Sequence, residues 1–402
     1  MLQLSFVNYK KDTYILVEGK ENPDRFFIIQ SGHVKVSHQS DLPGVQPVVL
    51  GPGDFVGVIS CMAYRAQIET CVAISDVVCI AVRRDQYIGL IEKNTAVALK
   101  IIRTFANRMR SVNEILMEQT QSATSRDDFE QLFNVGEYFD SQRQYEIAFF
   151  AYYQYIKMQK TGEHAQKALR RVSTLKANVS APYIEPSKDM LRKYPRGSMV
   201  FSEAQKGSNM FIIKSGMIKI SKIVDGTEIT LAILKDGDMF GEMALLENKP
   251  RSANAIAMDD CVLMSINMQN FNQMVATQAQ MVGKLTNTLS ERLWSMQRQL
   301  ANTLLRANPV AQMTDMLALQ LEKMRVPTTK GSQYMTSFTA EDIATMCGLS
   351  KNDQARYLVK FMTAPVIRIE KGKIFIPDCL ELMKQADFYH NQLQRQNQNQ
   401  NQ

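Results

Sequence analysis

Long apolar runs are missing from this chain. No stretch of about 18 consecutive apolar residues occurs, which argues against a membrane-spanning helix. The N-terminal residues MLQLSFVNYKKDTYILVEGK carry charges where a secretory signal peptide needs its apolar segment, so the expected location is the cytoplasm. Cysteine is scarce and unpatterned. The six cysteines (Cys61, Cys71, Cys79, Cys261, Cys347 and Cys379) contain no CxxC pair, and they make no zinc-type spacing with the four histidines. Buried, reduced thiols are expected, and no metal site is proposed. A P-loop and a nucleophile–base motif are also lacking, so an enzyme is not expected.

What is present suits a soluble globular chain of two to four domains: 402 residues, 45% apolar and 22% charged. The net charge of +7 is compatible with a nucleic-acid partner without establishing one. The most informative feature is internal repetition. Phe26–Val36 reads FFIIQSGHVKV and Met210–Ile220 reads MFIIKSGMIKI, with six of eleven positions identical at a constant offset of 184. The same offset, without a gap, carries Leu50–Gly57 (LGPGDFVG) onto Leu234–Gly241 (LKDGDMFG), and Val72-Ala73 onto Ile256-Ala257. The chain contains a duplicated module.

Each copy reads as short strands separated by Ser-Gly, Asp-Gly and Gly-Asp turns. Alternation in Met217–Ser221 and Ile229–Leu234 fits half-buried strands of a small antiparallel roll. A helical stripe follows each roll: Ile102, Phe105, Met109, Val112 and Leu116 in copy one, and Leu289, Leu293, Met296, Leu300 and Leu304 in copy two. Such a stripe packs on its own domain or forms a dimer seam; for the second helix, placed over about Met268–Leu305, a homodimer seam is expected. Between the copies, about Ser125 to Lys176, a helical stretch sets Gly136, Phe139, Ala148 and Tyr152 where a tetratricopeptide (TPR-like) helix pair needs small and large residues. One such unit cannot bury its face alone, so it is read as a spacer packed on a neighbour.

In copy two, Phe240–Ala253 reads FGEMALLENKPRSA. Gly241 opens a short helix whose free N–H groups favour an anion. Nine residues after Glu242, Arg251 can return to that point and fork onto a phosphate. Glu242 can accept from a ribose hydroxyl and balance the guanidinium, and Ser252 adds a hydroxyl donor. A structural ion pair closing a loop is the plainer alternative for Glu242 and Arg251. The Gly-Glu…Pro-Arg-Ser-Ala pattern resembles the phosphate-binding cassette of cyclic-nucleotide-binding domains, over about Pro195 to Asn267. That resemblance assigns Gly241, Glu242, Met243, Ala244, Arg251, Ser252 and Ala253 to a cyclic nucleotide. It also places Gln297 and Arg298, on the following helix, near the base. Ser252 after the cassette arginine is as in bacterial cyclic-AMP receptors, so cyclic AMP (cAMP) is the expected regulatory ligand and cyclic GMP (cGMP) the alternative. In copy one, Val58 and Gln67 stand where Glu242 and Arg251 stand in copy two, and Arg65 falls opposite Lys249. Copy one keeps the scaffold without the charged ligands and is expected to be structural or dimerising, with a different ligand left open.

Near the C-terminus, TSFTAEDIATMCGLSKNDQARYLVKFMTAPVIRIEKGKIFIPD begins at Thr336. Thr339 or Ser337 can cap a helix over Ala340–Met346, Gly348 supplies a turn, and Ser350 caps a second helix to about Met362. Strands are expected at Val366–Ile369 and Lys373–Ile376 around Glu370-Lys371-Gly372. This pattern resembles the winged helix-turn-helix of the catabolite activator and fumarate–nitrate regulator (CRP-FNR) family, across Val310 to Leu382. Lys351 to Lys373 holds six basic residues against two acidic ones, while Ala307–His390 holds ten against nine. The basic character is therefore confined to one edge, as a groove-facing surface requires. The DNA contacts expected are Ser350, Lys351, Asn352, Gln354 and Arg356 on the second helix and Lys371 and Lys373 on the wing. Asn352 departs from the family's glutamate, Asp353 adds a negative charge, and Ala364-Pro365 replaces a glycine before the wing.

The expected fold is therefore α+β. Residues 1–120 form a degenerate nucleotide-binding roll with its helix, and residues 121–180 a helical spacer. Residues 185–305 form a working roll with a dimer helix, and residues 306–390 a winged helix-turn-helix binding double-stranded DNA. Residues 391–402 (polar, Gln- and Asn-rich) are expected to be a disordered tail. The alternative is a cyclic-nucleotide-binding adaptor that acts through protein contacts.

Overall fold

The structure, a computed structural model, describes residues 4–20, 23–38, 47–119, 128–179, 189–224, 226–247 and 249–400. Alternating apolar residues build two rolls with one topology. In each, eight strands form two four-stranded antiparallel sheets, ordered first-eighth-third-sixth and second-seventh-fourth-fifth. In copy one the inward set Phe27, Ile29, Val34, Val36, Cys79 and Ala81 is buried between the sheets. In copy two Phe211, Ile213, Ile218, Phe240, Ala255 and Leu263 do the same. A side-chain period of two sends one set inward and leaves Leu231 and Ile233 exposed.

Helix α1 (Val58–Ala63) lies between the sixth and seventh strands of the first roll; α2 (Tyr87–Lys93) and α3 (Thr95–Gln119) follow it. The stripe residues Ile102, Phe105, Met109 and Val112 are all buried on α3. Between the rolls stand α4 (Asp128–Ser141), α5 (Tyr145–Met158) and α6 (Glu163–Leu175). Gly136 is required in α4, because a Cβ there would lie 2.7 Å from Cδ1 of Tyr152. These helices share a core with Met199, Ala204, Ile223 and Ile256 of the second roll, which answers how so short a helical segment buries its face.

In the second roll α7 (Glu242–Glu247) occupies the place of α1. The single helix expected over Met268–Leu305 is instead two, α8 (Met268–Thr277) and α9 (Ala279–Thr303). Asn267 caps α8, and Gln278, at φ −132 and ψ 61, leaves helical geometry and separates the two. Then come α10 (Pro309–Lys323), α11 (Ala340–Met346) and α12 (Lys351–Met362). Thr339 and Asp342 cap α11 reciprocally, and Ser350 caps α12. A three-stranded sheet of Tyr334–Met335, Lys373–Ile376 and Arg368–Glu370 closes the domain. Its hairpin turns at Lys371 and Gly372, with φ of 51 and 75, the positive pair a tight two-residue loop demands. The strand expected from Val366 starts only at Arg368, because Ala364–Ile367 closes a turn in which the Ile367 N–H donates to the Ala364 carbonyl.

Helix α13 spans Cys379–Gln400. The tail expected to be disordered from residue 391 is thus helical through Gln400, while residues 401 and 402 lie outside the described residues. Leu382 and Ala386 bury the helix's inner face, and Gln is a good helix former. Among the described residues no helix is long and apolar enough to cross a membrane. All six cysteines are unpaired and buried; burial pushes the Cys61 thiol up to about 11 and Cys71 to about 12. The chain divides into two compact units, one of residues 1–87, 109–120 and 290–402 and the other of 88–108 and 121–289. Three of the divisions fall inside helices, in α2, α3 and α9.

Candidate ligand pocket in the second roll

The pocket residues gather where the sixth strand, Met239–Phe240, turns into α7. Gly241 has φ 75, a conformation disfavoured for residues with a Cβ. Its carbonyl accepts from Nη1 of Arg251 at 2.7 Å. Arg251 is itself held by its backbone, its N–H donating to Gln205 and its carbonyl accepting from Ala204, both at 2.8 Å. The guanidinium lies over Phe201, 4.1 Å from the ring centroid, within the cluster of Phe201, Phe211 and Phe240.

Arg251 is only 6% exposed and Glu242 only 3%. Burial brings the Arg251 pKa down to about 10, opposed by the attraction of Glu242. Its Nε is buried and makes no hydrogen bond among the described residues. A guanidinium that is desolvated, stacked and short of one acceptor is suited to an incoming anion. Of the other cassette residues, Met243, Ala244 and Ala253 are buried, and Ser252, half-buried, points its hydroxyl at Met243 Sδ at 3.8 Å. Glu242, Arg251 and Gly241 therefore do come together. Gly207 belongs with them and was missed in the sequence: a Cβ there would lie 2.3 Å from Nε and 2.6 Å from Nη2 of Arg251. The available signal was the offset of 184, which sets Pro23 opposite Gly207.

The first roll repeats the backbone without the charge. Gly57 has φ 75 and precedes α1 as Gly241 precedes α7. Gln67 stands 3.5 Å from the Cβ position of Gly57, where Arg251 approaches Gly241. Arg65 turns elsewhere: it donates to the carbonyls of Glu322 and Lys323 and lies 5.1 Å from the Trp294 ring.

Gln297 and Arg298, which the resemblance places near the base, find their neighbours within the unit that holds the first roll. Arg298 forks onto Asp315, with Nη2 to Oδ1 at 2.7 Å and Nη1 to Oδ2 at 3.2 Å, and its Nε lies 3.2 Å from Glu322. Gln297 lines a cavity beside Gln67 and Ile68 of the first roll. Family spacing locates a helix position but does not say which face another element of the same chain will cover.

On the C-terminal helices, Asn352 and Arg356 are exposed, as is Lys371 at the hairpin; Lys373 is half-buried. The Lys351 side chain lies outside the described residues. Ser350 accepts from the Asp353 N–H at 3.2 Å and donates to its carboxylate at 2.7 Å, so Asp353 serves the helix cap. Gln354 donates to the Leu349 carbonyl at 2.9 Å, which ties it to the turn.

The cyclic nucleotide-binding domain family matches this chain twice, at residues 6–94 and 191–278. The CRP-like cAMP-activated global transcriptional regulator of Mycobacterium tuberculosis is 28% identical over 196 residues, covering 48% of this chain and 86% of that protein. The cyclic AMP receptor protein of Thermus thermophilus is 24% identical over 195 residues, 47% of this chain and 84% of the relative. The cAMP-dependent protein kinase regulatory subunit of Mycosarcoma maydis is 43% identical over 81 residues, 19% of this chain and 15% of the relative.

Proposed function

We propose that this chain, matched twice by the cyclic nucleotide-binding domain family and similar to CRP-like regulators, is a regulator of the catabolite activator and fumarate–nitrate type whose second roll is the working sensor, with cAMP as its ligand and cGMP as the alternative. The observation that carries this reading is the Arg251 guanidinium, buried among aromatic rings with an unpartnered Nε and Glu242 buried nearby. A cyclic phosphate would supply the missing acceptor, and Glu242 would accept from the ribose. Nothing in this reading calls for catalysis; the ligand is sensed and released unchanged in the cytoplasm.

The output is proposed to be transcriptional. Helices α11 and α12 with the Arg368–Ile376 hairpin are read as a winged helix-turn-helix. Asn352 and Arg356 face base edges, and Lys371 and Lys373 meet phosphates. The α4–α6 segment is read as a TPR-like spacer, and α9 as part of the seam of a homodimer that presents two readers to half-sites about one DNA turn apart. Ligand affects DNA binding only if it prefers one arrangement of the dimer.

Calorimetric titration with cAMP, cGMP and linear AMP tests the sensor. One site per chain, selective for a cyclic form and lost in Arg251→Ala, is expected; no binding of either cyclic nucleotide sinks the reading. The kinase regulatory subunit match favours a second reading, an adaptor without DNA binding. Steeply salt-dependent duplex binding supports the regulator, and its absence beside a stable protein complex supports the adaptor.

A further inference from the structure

What helix α12 buries fixes its rotation. Phe361 is fully buried, and Gln354, two turns before it on the same side, donates to the Leu349 carbonyl at 2.9 Å. At 3.6 residues per turn, Asn352, Ala355, Arg356 and Val359 then fall on the opposite side, and all four are exposed.

The composition of that stripe is mixed. Val359 is 62% exposed, and with Ala355 it lines up two apolar side chains between the amide of Asn352 and the cations Arg356 and Lys360. Either apolar residue alone would mean nothing. Here they share one helix face inside the segment Lys351–Lys373, where six basic residues stand against two acidic ones.

The major groove of a DNA duplex matches this order of groups. Asparagine pairs two-pronged with adenine, accepting from its amino group and donating to N7, and the C5-methyl of thymine offers the groove an apolar contact. The other amide at this end of the helix, Gln354, is committed to Leu349, and Asp353 to the Ser350 cap. Asn352 is the amide left to read a base. From Asn352 to Val359 the helix climbs about 10 Å, roughly three base-pair steps of 3.4 Å.

We propose that α12 reads adenine through Asn352 and thymine methyls through Ala355 and Val359, over about three A·T-rich base pairs of the half-site. This rests on the DNA-reading role proposed for α12 above and adds its base chemistry, in which two apolar side chains supply selectivity that the basic residues cannot.

Duplexes selected from a random pool by the full-length chain, with and without cAMP, are expected to share adenine and thymine within one half-site. Replacing a contacted thymine by deoxyuridine removes only the C5-methyl and is expected to weaken binding about fourfold, the worth of one buried methyl. In Val359→Ala, which places a good helix former at an exposed position, the replacement under residue 359 is expected to have no effect. Asn352→Ala is expected to bind the selected duplex about tenfold more weakly and to accept other base pairs at the adenine position. If the parent chain shows no salt-dependent duplex binding, the DNA-reading role falls and this assignment falls with it. If duplex is bound but deoxyuridine is tolerated at every thymine, or Asn352→Ala keeps the parent's preference for adenine, the base assignment is overturned and the DNA-reading role stands.

Discussion

Arg251 is buried and Arg298 half-buried, yet they do opposite things. Arg298 is answered inside the chain by Asp315, which also receives Asn302 at 2.8 Å and lies 3.0 Å from Nε2 of His390. Burial alone would raise the Asp315 carboxyl, but Arg298 and His390 outweigh it and hold it well below the usual carboxylate range. Asp315→Asn leaves Arg298 with a weaker partner in a buried site and is expected to lower stability by about 3 kcal/mol, read from urea midpoints. The dependence on pH follows from the depressed value. Asp315 contributes fully above the ordinary carboxylate pKa of 3.8 and loses that contribution as pH falls below it toward the folded value. The wild type is therefore expected to lose more stability than Asp315→Asn across that acid range; parallel losses would contradict the assignment. Arg251, by contrast, keeps an Nε without an acceptor, and Gly207 leaves it room. Gly207→Ala is expected to push the guanidinium aside and weaken cyclic-nucleotide binding at least tenfold by calorimetry, although no charge is removed. The Glu–Arg pair was legible in the sequence because its spacing sits inside a repeat. Gly207 was not, because a glycine's lack of a Cβ matters only once the packing partner is known.

Elements followed local rules wherever local chemistry was decisive. Helix α11 occupies the range its Thr339 cap predicts, and α12 begins after Ser350, since capping is settled within one turn. The break at Gln278 and the helical C-terminus were not legible, because the apolar spacing continues through the first and the second depends on what α13 packs against. In the spacer, Gly136 against Tyr152 decides how closely α4 and α5 approach. Gly136→Ala gains about 1 kcal/mol of helix propensity but forces a Cβ to 2.7 Å from the ring, and overpacking of this kind costs about 1–3 kcal/mol. A net loss on the order of 1 kcal/mol is expected from thermal unfolding, against the propensity trend.

For the molecule as a whole, one chain combines two rolls of one topology with a basic C-terminal edge. If the second roll is the sensor, cAMP at a hundred times its Kd stabilises the full chain by about 2.7 kcal/mol, and Arg251→Ala removes that shift in a thermal melt. If the C-terminal helices read DNA, Lys371→Ala is expected to weaken duplex binding evenly across sequences and to reduce the slope of log K against log salt by about 1. A changed sequence preference instead would move Lys371 from phosphate to base contact. The sequence by itself determined the duplication, the strand alternation, the cassette of the second roll and the loss of Arg and Glu from the first. Each of these is a matter of residue type at short or constant spacing, which the linear chain records. Only the tertiary structure decided that Arg298 is neutralised by Asp315, that Gln297 faces a cavity beside the first roll, and that Gly207 makes room for Arg251. Those outcomes depend on which distant segment covers a given face, and burial strengthens the charges and unpaired groups enclosed there in a way no local pattern encodes.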